Sequence, residues 1–279
     1  MQHKVILVLV DGLSAEVAHA MGYLTGMVEA QRGLFTTLSC ALPSLSRPLY
    51  ECILTGMPPV ASGITHNGVS RLSQHDSIFH LARAGGKGTA AAAYHWVSEL
   101  YNRSPWQVAR DRFTQDEQLP IQHGCFYWDD GYPDSHLLMD GEWLRTQHDP
   151  DFLLIHPMGV DDAGHRFGLD SRQYRNQARR MDSLLADLLP QWLVEGYQVL
   201  VTADHGMNED LSHGGTLPEE RNVPLWLFGD AFVSRWPEGP DQQLQQTQLC
   251  ALMAELLGVA HDKPRGPQLL KAACLREVH

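Results

Sequence analysis

The chain has 279 residues, 43% of them hydrophobic and 19% charged, which is the composition of a folded globular protein and excludes a disordered, collagen-like or coiled-coil chain. The 33 acidic and 21 basic residues give a formal net charge of −12, and without a basic stripe we expect no nucleic-acid partner. The five cysteines form no CxxC pair, and the first apolar run is too short for a signal peptide or a membrane span. We therefore expect reduced thiols, a cytoplasmic location and no membrane partner.

Uninterrupted apolar runs and helical spacing alternate along the chain, which predicts an α/β fold with a mostly parallel sheet and helices on both of its faces. The predicted strands cover residues 5–10, 34–38, 89–94, 151–157, 198–203 and 223–229. The predicted helices are one capped by Ser14 that runs toward Ala30, one after Pro48, one capped by Asp76 that ends at Ala84, one that begins with an Asp170/Gln173 capping box and ends at Pro190, and one over 247–257 that Gly258 stops.

Residues 94–141 differ from the rest of the chain, because they combine clustered aromatic side chains with poor periodicity. We interpret them as an insertion or lid within a single α/β domain over residues 1–279, and not as part of the central sheet. Their aromatic residues are expected either to stack on a nucleobase or to form the small core of the insertion.

Acidic and histidine side chains follow three of the predicted strands. They are Asp11, Asp161, His165, Asp204, His205 and His213. Because the carboxyl ends of parallel strands share one edge of a sheet, we expect these side chains to converge. Aspartate and histidine without cysteine favour zinc, manganese or iron, and six ligands suit two ions. Two divalent ions and three carboxylates leave a charge of about +1, which attracts an anionic phosphate. By contrast, His156 lies inside an apolar strand and is expected to be a core histidine.

Six motifs occur in a fixed order along the chain. They are Asp11 at the end of VLVDG, Pro43-Ser44-Leu45-Ser46-Arg47-Pro48 followed by Thr55-Gly56, Gly63-Ile64-Thr65-His66-Asn67, Asp161-Asp162-Ala163-Gly164-His165, Asp204-His205-Gly206-Met207, and His213. Together they resemble the alkaline phosphatase superfamily, specifically its type I phosphodiesterase/nucleotide pyrophosphatase branch. The resemblance implies an alkaline-phosphatase-like fold with two metal sites. One metal would be held by Asp161, His165 and His213, and the other by Asp11, Asp204 and His205.

The resemblance also implies the chemistry. Ser46 would contact the metals and act as the nucleophile, with Asn67 donating to a phosphoryl oxygen. The implied activity is hydrolysis of phosphodiester or pyrophosphate bonds in a small phosphorylated substrate, nucleotide-like substrates among them, through a phosphoserine intermediate. Two divalent ions are implied as cofactors, Zn²⁺ first and Mn²⁺ as the alternative.

Several alternatives stay open at this point. Arg47 is a candidate substrate-binding residue, and a guanidinium beside the nucleophile keeps a phosphate monoester or phosphonate hydrolase open. Ser44 is the alternative nucleophile. A sulfatase is disfavoured because Tyr50 stands where those enzymes require arginine. A nucleotide-binding module is disfavoured because neither GxGxxG nor GxxxxGK[ST] occurs.

Overall fold

An eight-stranded sheet forms the centre of the molecule in a computed structural model that describes residues 2–239 and 243–271. The strands are β1 (Lys4–Leu9), β2 (Leu34–Ser39), β3 (Thr89–Tyr94), β4 (Phe113–Gln115), β5 (His123–Tyr127), β6 (Phe152–Ile155), β7 (Tyr197–Thr202) and β8 (Asn222–Phe228). Their order is β2-β8-β7-β1-β6-β3-β5-β4. The five strands from β7 to β5 run parallel, whereas β8, β2 and β4 pair antiparallel with their neighbours. The α/β, mostly parallel and alkaline-phosphatase-like architecture is therefore confirmed.

Helices cover both faces of this sheet. They are α1 (Gly22–Glu29), α2 (Ser46–Thr55), α3 (Pro59–Ser62), α4 (Ile78–Ala84), α5 (His95–Tyr101), α6 (Val108–Asp111), α7 (Asp134–His148), α8 (Gly159–Phe167), α9 (Arg172–Val194), α10 (Pro218–Arg221) and α11 (Leu249–Leu257). Helices α7 and α9 pack on one side of the strands, and α4 and α11 pack on the other. Within the described ranges, no helix is both long enough and apolar enough to cross a bilayer.

The segment 94–141 contributes two strands to the sheet, so the prediction that it lies outside the sheet is wrong. β5 pairs in parallel with β3, from Ala90 opposite His123 to Tyr94 opposite Tyr127. The apolar signal of β5 is short, because only its last three residues are hydrophobic, and pairing with a buried neighbour decides its conformation. The role of the segment as an insertion or lid of one domain stays a prediction.

Two helices begin one residue later than predicted. Ser77, not Asp76, caps α4, and its partner in the capping box is the side chain of His80. Ser171, not Asp170, caps α9, where its hydroxyl accepts a hydrogen bond from the backbone three residues on. In both cases two adjacent residues have good capping side chains, and the sequence alone does not separate them.

Helix α9 continues past Pro190 to Val194, so the predicted stop at Pro190 is wrong. The ring of Pro190 is exposed, and a proline there removes one hydrogen bond close to the helix end. The fully buried Trp192 holds the last turn against the core. Tertiary packing therefore overrides the local signal.

The predicted cap at Ser14 and the predicted stop at Gly258 are confirmed. Ser14 caps a 3₁₀ helix, Ala15–Ala20, which precedes α1 where one continuous helix was expected. Gly258 ends α11 with φ +67°. The four cysteines in the described residues, Cys40, Cys52, Cys125 and Cys250, are buried free thiols, whereas Cys274 lies outside the described residues. The cytoplasmic location stays a prediction.

Candidate active site

Three neighbouring strands deliver one aspartate each to the same edge of the sheet. Asp11 follows β1, Asp161 lies in the first turn of α8 after β6, and Asp204 follows β7. Asp204 Oδ1 accepts a hydrogen bond from the Gly12 backbone N–H at 3.2 Å. Gly12 has φ +68°, and a Cβ there would lie 2.7 Å from Asp161 Oδ1, so only glycine permits this approach. The predicted convergence is what the structure shows.

The first candidate metal group consists of Asp11, Asp204 and His205, whose ligand atoms lie within 4.8 Å of one another. His205 Nε2 lies 3.3 Å from Asp204 Oδ2 and 3.5 Å from Asp11 Oδ1. All three side chains are fully buried. This is the group that the resemblance implied for one ion.

The second candidate group contains Asp161, His213 and the same His205, again within 4.8 Å. His165 joins it, because its Nε2 lies 3.2 Å from His213 Nε2 and 3.4 Å from Asp161 Oδ2. The rings of His205 and His213 stack with centroids 3.6 Å apart. The structure thus brings together the second predicted set and places His205 between the two groups.

The three histidines are oriented in the same way, with Nδ1 turned to a backbone carbonyl and Nε2 turned to the site. The carbonyl acceptors are Leu211 at 2.9 Å for His165, Gly206 at 2.9 Å for His205 and Ser44 at 2.7 Å for His213. Because Nδ1 donates its proton, each Nε2 presents a lone pair, which is the form that ligates a metal. Lone pairs that face each other repel unless a cation lies between them.

The carboxylates give the same indication, since Asp11 Oδ1, Asp161 Oδ1 and Asp204 Oδ2 are buried without a hydrogen-bond partner among the described residues. Burial, and next the charges of Asp11 and Asp204, raise the pKa of Asp161 well above its usual range. Burial and the charge of Asp11 likewise raise the pKa of Asp204. Clustered acceptors without donors are costly when buried, and divalent cations relieve that cost. These residues therefore fit two divalent ions.

Two buried side chains hold Asp11, and neither contact was predicted from the sequence. The hydroxyl of Tyr50 donates to Asp11 Oδ2, and His156 Nε2 lies 3.1 Å from the same oxygen. His156 Nδ1 accepts from the Tyr94 N–H at 3.4 Å, so its Nε2 carries the proton, unlike the three histidines above. Burial opposes ionisation of Asp11, but the hydrogen bonds that His156 and Tyr50 donate to it lower its pKa to about 2. His156 is thus a core histidine, as predicted, that also orients a candidate ligand.

Ser46 is the first residue of α2 and faces the histidine shared by the two groups. Its Oγ lies 3.0 Å from His205 Nε2 and donates a hydrogen bond to that nitrogen. The cap of α2 is Leu45, so the Ser46 hydroxyl is not used to cap the helix. The hydroxyl of the alternative, Ser44, donates to the Gly215 carbonyl at 2.8 Å and accepts from the Gly214 N–H at 3.1 Å. The geometry favours Ser46 over Ser44.

Asn67 and Arg47 lie beside Ser46 and make different contacts. Asn67 Oδ1 accepts from the Arg47 N–H at 3.1 Å, which fixes the amide and leaves Nδ2 as a donor. The Arg47 guanidinium is 3% exposed, pairs with Glu99 at 2.8 Å and lies 4.6 Å from the centre of the Trp96 ring. The structure therefore engages Arg47 with Glu99, and its predicted contact with substrate stays a prediction.

Comparison with known proteins agrees with the site. The model of the type I phosphodiesterase / nucleotide pyrophosphatase family matches residues 5–213, the span that holds every candidate residue above. The chain belongs to this family. Among solved structures, murine ectonucleotide pyrophosphatase/phosphodiesterase 5 superimposes with a TM-score of 0.74 at 13% identity, covering 96% of this chain and 100% of that one. At that identity the likeness shows the fold of the family.

Curated relatives of this phosphodiesterase-family chain include two larger transferases. Human GPI ethanolamine phosphate transferase 2, catalytic subunit, is 26% identical over 287 residues, covering 96% of this chain and 27% of that protein. The mouse GPI ethanolamine phosphate transferase 3, catalytic subunit, is 32% identical over 285 residues, covering 92% of this chain and 24% of that protein. The chain thus spans about a quarter of the length of these relatives.

Proposed function

We propose that this phosphodiesterase-family chain hydrolyses a phosphodiester or pyrophosphate bond in a small phosphorylated substrate, with Ser46 as the nucleophile. The observation that carries the proposal is the Ser46 Oγ held 3.0 Å from His205 Nε2, in the histidine shared by both metal groups. The two ions are Zn²⁺, with Mn²⁺ as the alternative, because the donors are carboxylates and imidazoles without thiolate. When bound, they supply positive charge at the phosphoryl oxygens and make the serine hydroxyl more acidic.

The reaction divides into two displacements at phosphorus. In the first, Ser46 Oγ forms a bond to phosphorus and gives up its proton to the leaving oxygen or to solvent, and the bond from phosphorus to the leaving oxygen breaks. In the second, a water oxygen attacks the phosphoseryl group, and Ser46 Oγ leaves and recovers a proton. Each step exchanges one P–O bond for another, so one serine serves both.

Two groups of the chain are candidate donors to a phosphoryl oxygen bound to Ser46. The amide of Asn67 has its oxygen engaged by the Arg47 N–H, so its NH₂ group is free to donate. The backbone N–H of Ser46 lies in the first turn of α2, where helix N–H groups have no partner within the helix. Donors placed in advance stabilise the negative charge that develops in the transition state.

The test compares bis-p-nitrophenyl phosphate with p-nitrophenyl phosphate on zinc-loaded, manganese-loaded and chelated protein. We expect the metal-loaded protein to prefer the diester in kcat/KM by at least about tenfold, which corresponds to about 1.4 kcal/mol, and the chelated protein to be inactive. A preference for the monoester would support the phosphate monoester or phosphonate hydrolase instead. Full activity after chelation would contradict the two-metal mechanism.

The similarity to ethanolamine phosphate transferases favours a second candidate, in which an alcohol replaces water in the second displacement. The phosphoseryl group would then pass to a hydroxyl oxygen, and Ser46 would recover its proton from that hydroxyl. Product analysis by ³¹P NMR in the presence of an added alcohol separates the two. A new phosphodiester would indicate transfer, and free phosphoester alone would indicate hydrolysis.

A further inference from the structure

A cavity of about 520 Å³ lies between the loop 130–134, helix α8 and helix α9. We call it the α8–α9 cavity. Its lining includes the first residues of α7 and α8, which follow the carboxyl ends of β5 and β6, so it lies on the side of the sheet that carries the metal groups. The buried carboxylate of Asp134 accepts from the Gly159 N–H at 3.1 Å and from Gln177 Nε2 at 2.8 Å, which joins three helices at the cavity. These hydrogen bonds therefore fix the relative positions of the three helices that border the cavity.

Helix α8 carries residues of both the cavity and the metal groups. Helix α8 presents Asp161 and His165 to the metal site and, one residue on from each, Asp162 and Arg166 to the cavity. Asp162 and Arg166 pair at 3.1 Å along the helix. The cavity therefore adjoins the helix that supplies two of the candidate metal ligands.

The polar lining mixes donors and acceptors instead of concentrating one charge. Three aspartates and two arginines line the cavity, so their charges sum to −1. Carboxylates only accept hydrogen bonds, guanidinium groups only donate, and the amides of Gln173 and Asn176 do both. Asp134 and the Asp162–Arg166 pair already have partners within the protein. The lining groups left for a ligand include Asp130, Arg180 and the two amides, and the charges of Asp130 and Arg180 cancel. A neutral ligand with several hydroxyls, each a donor and an acceptor, matches this lining.

Aromatic surface and size agree with a ring-shaped ligand of this kind. Tyr132 and Phe167 also line the cavity, and Phe167 is 47% exposed, so ring surface is available to the C–H face of a sugar. The volume lies within the range of about 300–1,000 Å³ of small-molecule sites. A second cavity of about 300 Å³ shares four of the lining residues, from Pro133 to Arg180, and continues along α9.

We propose that the α8–α9 cavity binds a neutral polyhydroxylated group, such as a sugar ring, on the substrate whose phosphate reacts at Ser46. The inference rests on the proposed function and adds a substrate class to it. Gln173 and Asn176, one turn apart on α9, are the specificity-determining residues, because they are exposed and line the cavity.

The test uses three diesters that share the p-nitrophenyl leaving group and carry glucose, mannose or ethanol as the second alcohol. We expect kcat/KM for the better sugar diester to exceed that for the ethyl diester by about tenfold or more. The variants Gln173→Leu and Asn176→Leu should bring this ratio close to one. Gln191→Leu is the matched control, since it makes the same exchange on an exposed part of the same helix away from the cavity. Equal rates for all three diesters in the unsubstituted protein, or a ratio that survives both cavity variants, would overturn the proposal.

A binding measurement separates this inference from the proposed function. Saturation-transfer NMR with methyl glucoside and methyl mannoside on the metal-loaded protein should show transfer that both cavity variants lose and that Gln191→Leu keeps. If no diester is cleaved, the proposed function fails, and the NMR result alone decides the cavity. If saturation transfer is absent for both glycosides, the proposal that the α8–α9 cavity binds a polyhydroxylated group is overturned.

Discussion

Ser46 is placed by its own helix, at the start of α2, where its hydroxyl meets His205 instead of capping the helix. We predict that Ser46→Ala lowers kcat by about 10³–10⁶-fold, because no other group in reach replaces the covalent step. The metal content should stay unchanged in elemental analysis, since the aspartates and histidines are untouched. A variant with full activity would contradict the mechanism.

Ser44→Ala is the matched control for that prediction. Its hydroxyl makes two hydrogen bonds to the loop that follows His213 and none to the site. We expect this variant to keep the chemical step and to lose about 1–2 kcal/mol of unfolding free energy in urea.

Arg47 has two possible roles, a structural ion pair with Glu99 and a contact with the phosphoryl group of the substrate, and substitutions separate them. Its pair with Glu99 is buried, with side chains 3% and 8% exposed. We predict that Arg47→Met lowers the unfolding free energy by about 3–5 kcal/mol, because the Glu99 charge is left alone, and that Arg47→Met with Glu99→Gln recovers most of it. Urea unfolding measures both. If the stable double variant loses its rate on p-nitrophenyl phosphate more than on the diester, Arg47 contacts substrate.

At the scale of elements, α2 and α9 show how helices serve the site. Ser46 and Tyr50 lie four positions apart, so one face of α2 carries the proposed nucleophile and the hydroxyl that holds Asp11. On α9, Tyr174 reaches from the first turn to the loop after β1, where its hydroxyl accepts from the Ser14 N–H at 2.9 Å. Both helices therefore position groups on the loop that follows β1.

The end of α9 gives a prediction at this scale. Pro190 is exposed inside the helix, where it provides no N–H to the preceding turn. Pro190→Ala should raise the unfolding free energy by about 1–3 kcal/mol, because alanine restores the hydrogen bond and suits a helix interior. Urea unfolding is the measurement, with Gln191→Ala as the neighbouring control. A loss of stability would show that the ring of Pro190 itself supports the helix end.

At the scale of the whole molecule, partly buried histidines outside the site contribute to the pH dependence of stability. Burial lowers the pKa of His95 to about 4 and also lowers the pKa values of His80 and His123. Below pH 6.5 the unfolded chain therefore binds protons that these histidines do not bind in the fold, so their contribution to the unfolding free energy falls as the pH decreases from 6.5 toward 4. In metal-free protein the raised pKa values of Asp161 and Asp204 act in the opposite direction.

Urea unfolding of chelated protein between pH 7.5 and 5 tests this expectation, and chelation removes the pH dependence of metal binding. Relative to the unsubstituted protein, His95→Gln should be more stable at pH 5 than at pH 7.5, whereas His19→Gln, at an exposed position, should show the same pH dependence as the unsubstituted protein. An unchanged pH dependence in His95→Gln would contradict the prediction.

The sequence by itself determined the elements whose signals are local. β1 was predictable because a strand buried on both faces requires an uninterrupted apolar run, and the residues after β1, β6 and β7 were predictable as a cluster because parallel strands end at one edge. The motif resemblance then implied the ligands, and the structure brings them together.

Only the tertiary structure decided the contacts between distant segments. The pairing of β5 with β3, the support of Asp11 by Tyr50 and His156, the ion pair of Arg47 with Glu99 and the α8–α9 cavity each join parts of the chain that no local pattern relates. Apolar periodicity records which face of an element is buried, whereas the identity of the partner depends on packing and on the hydrogen bonds that buried polar groups must complete.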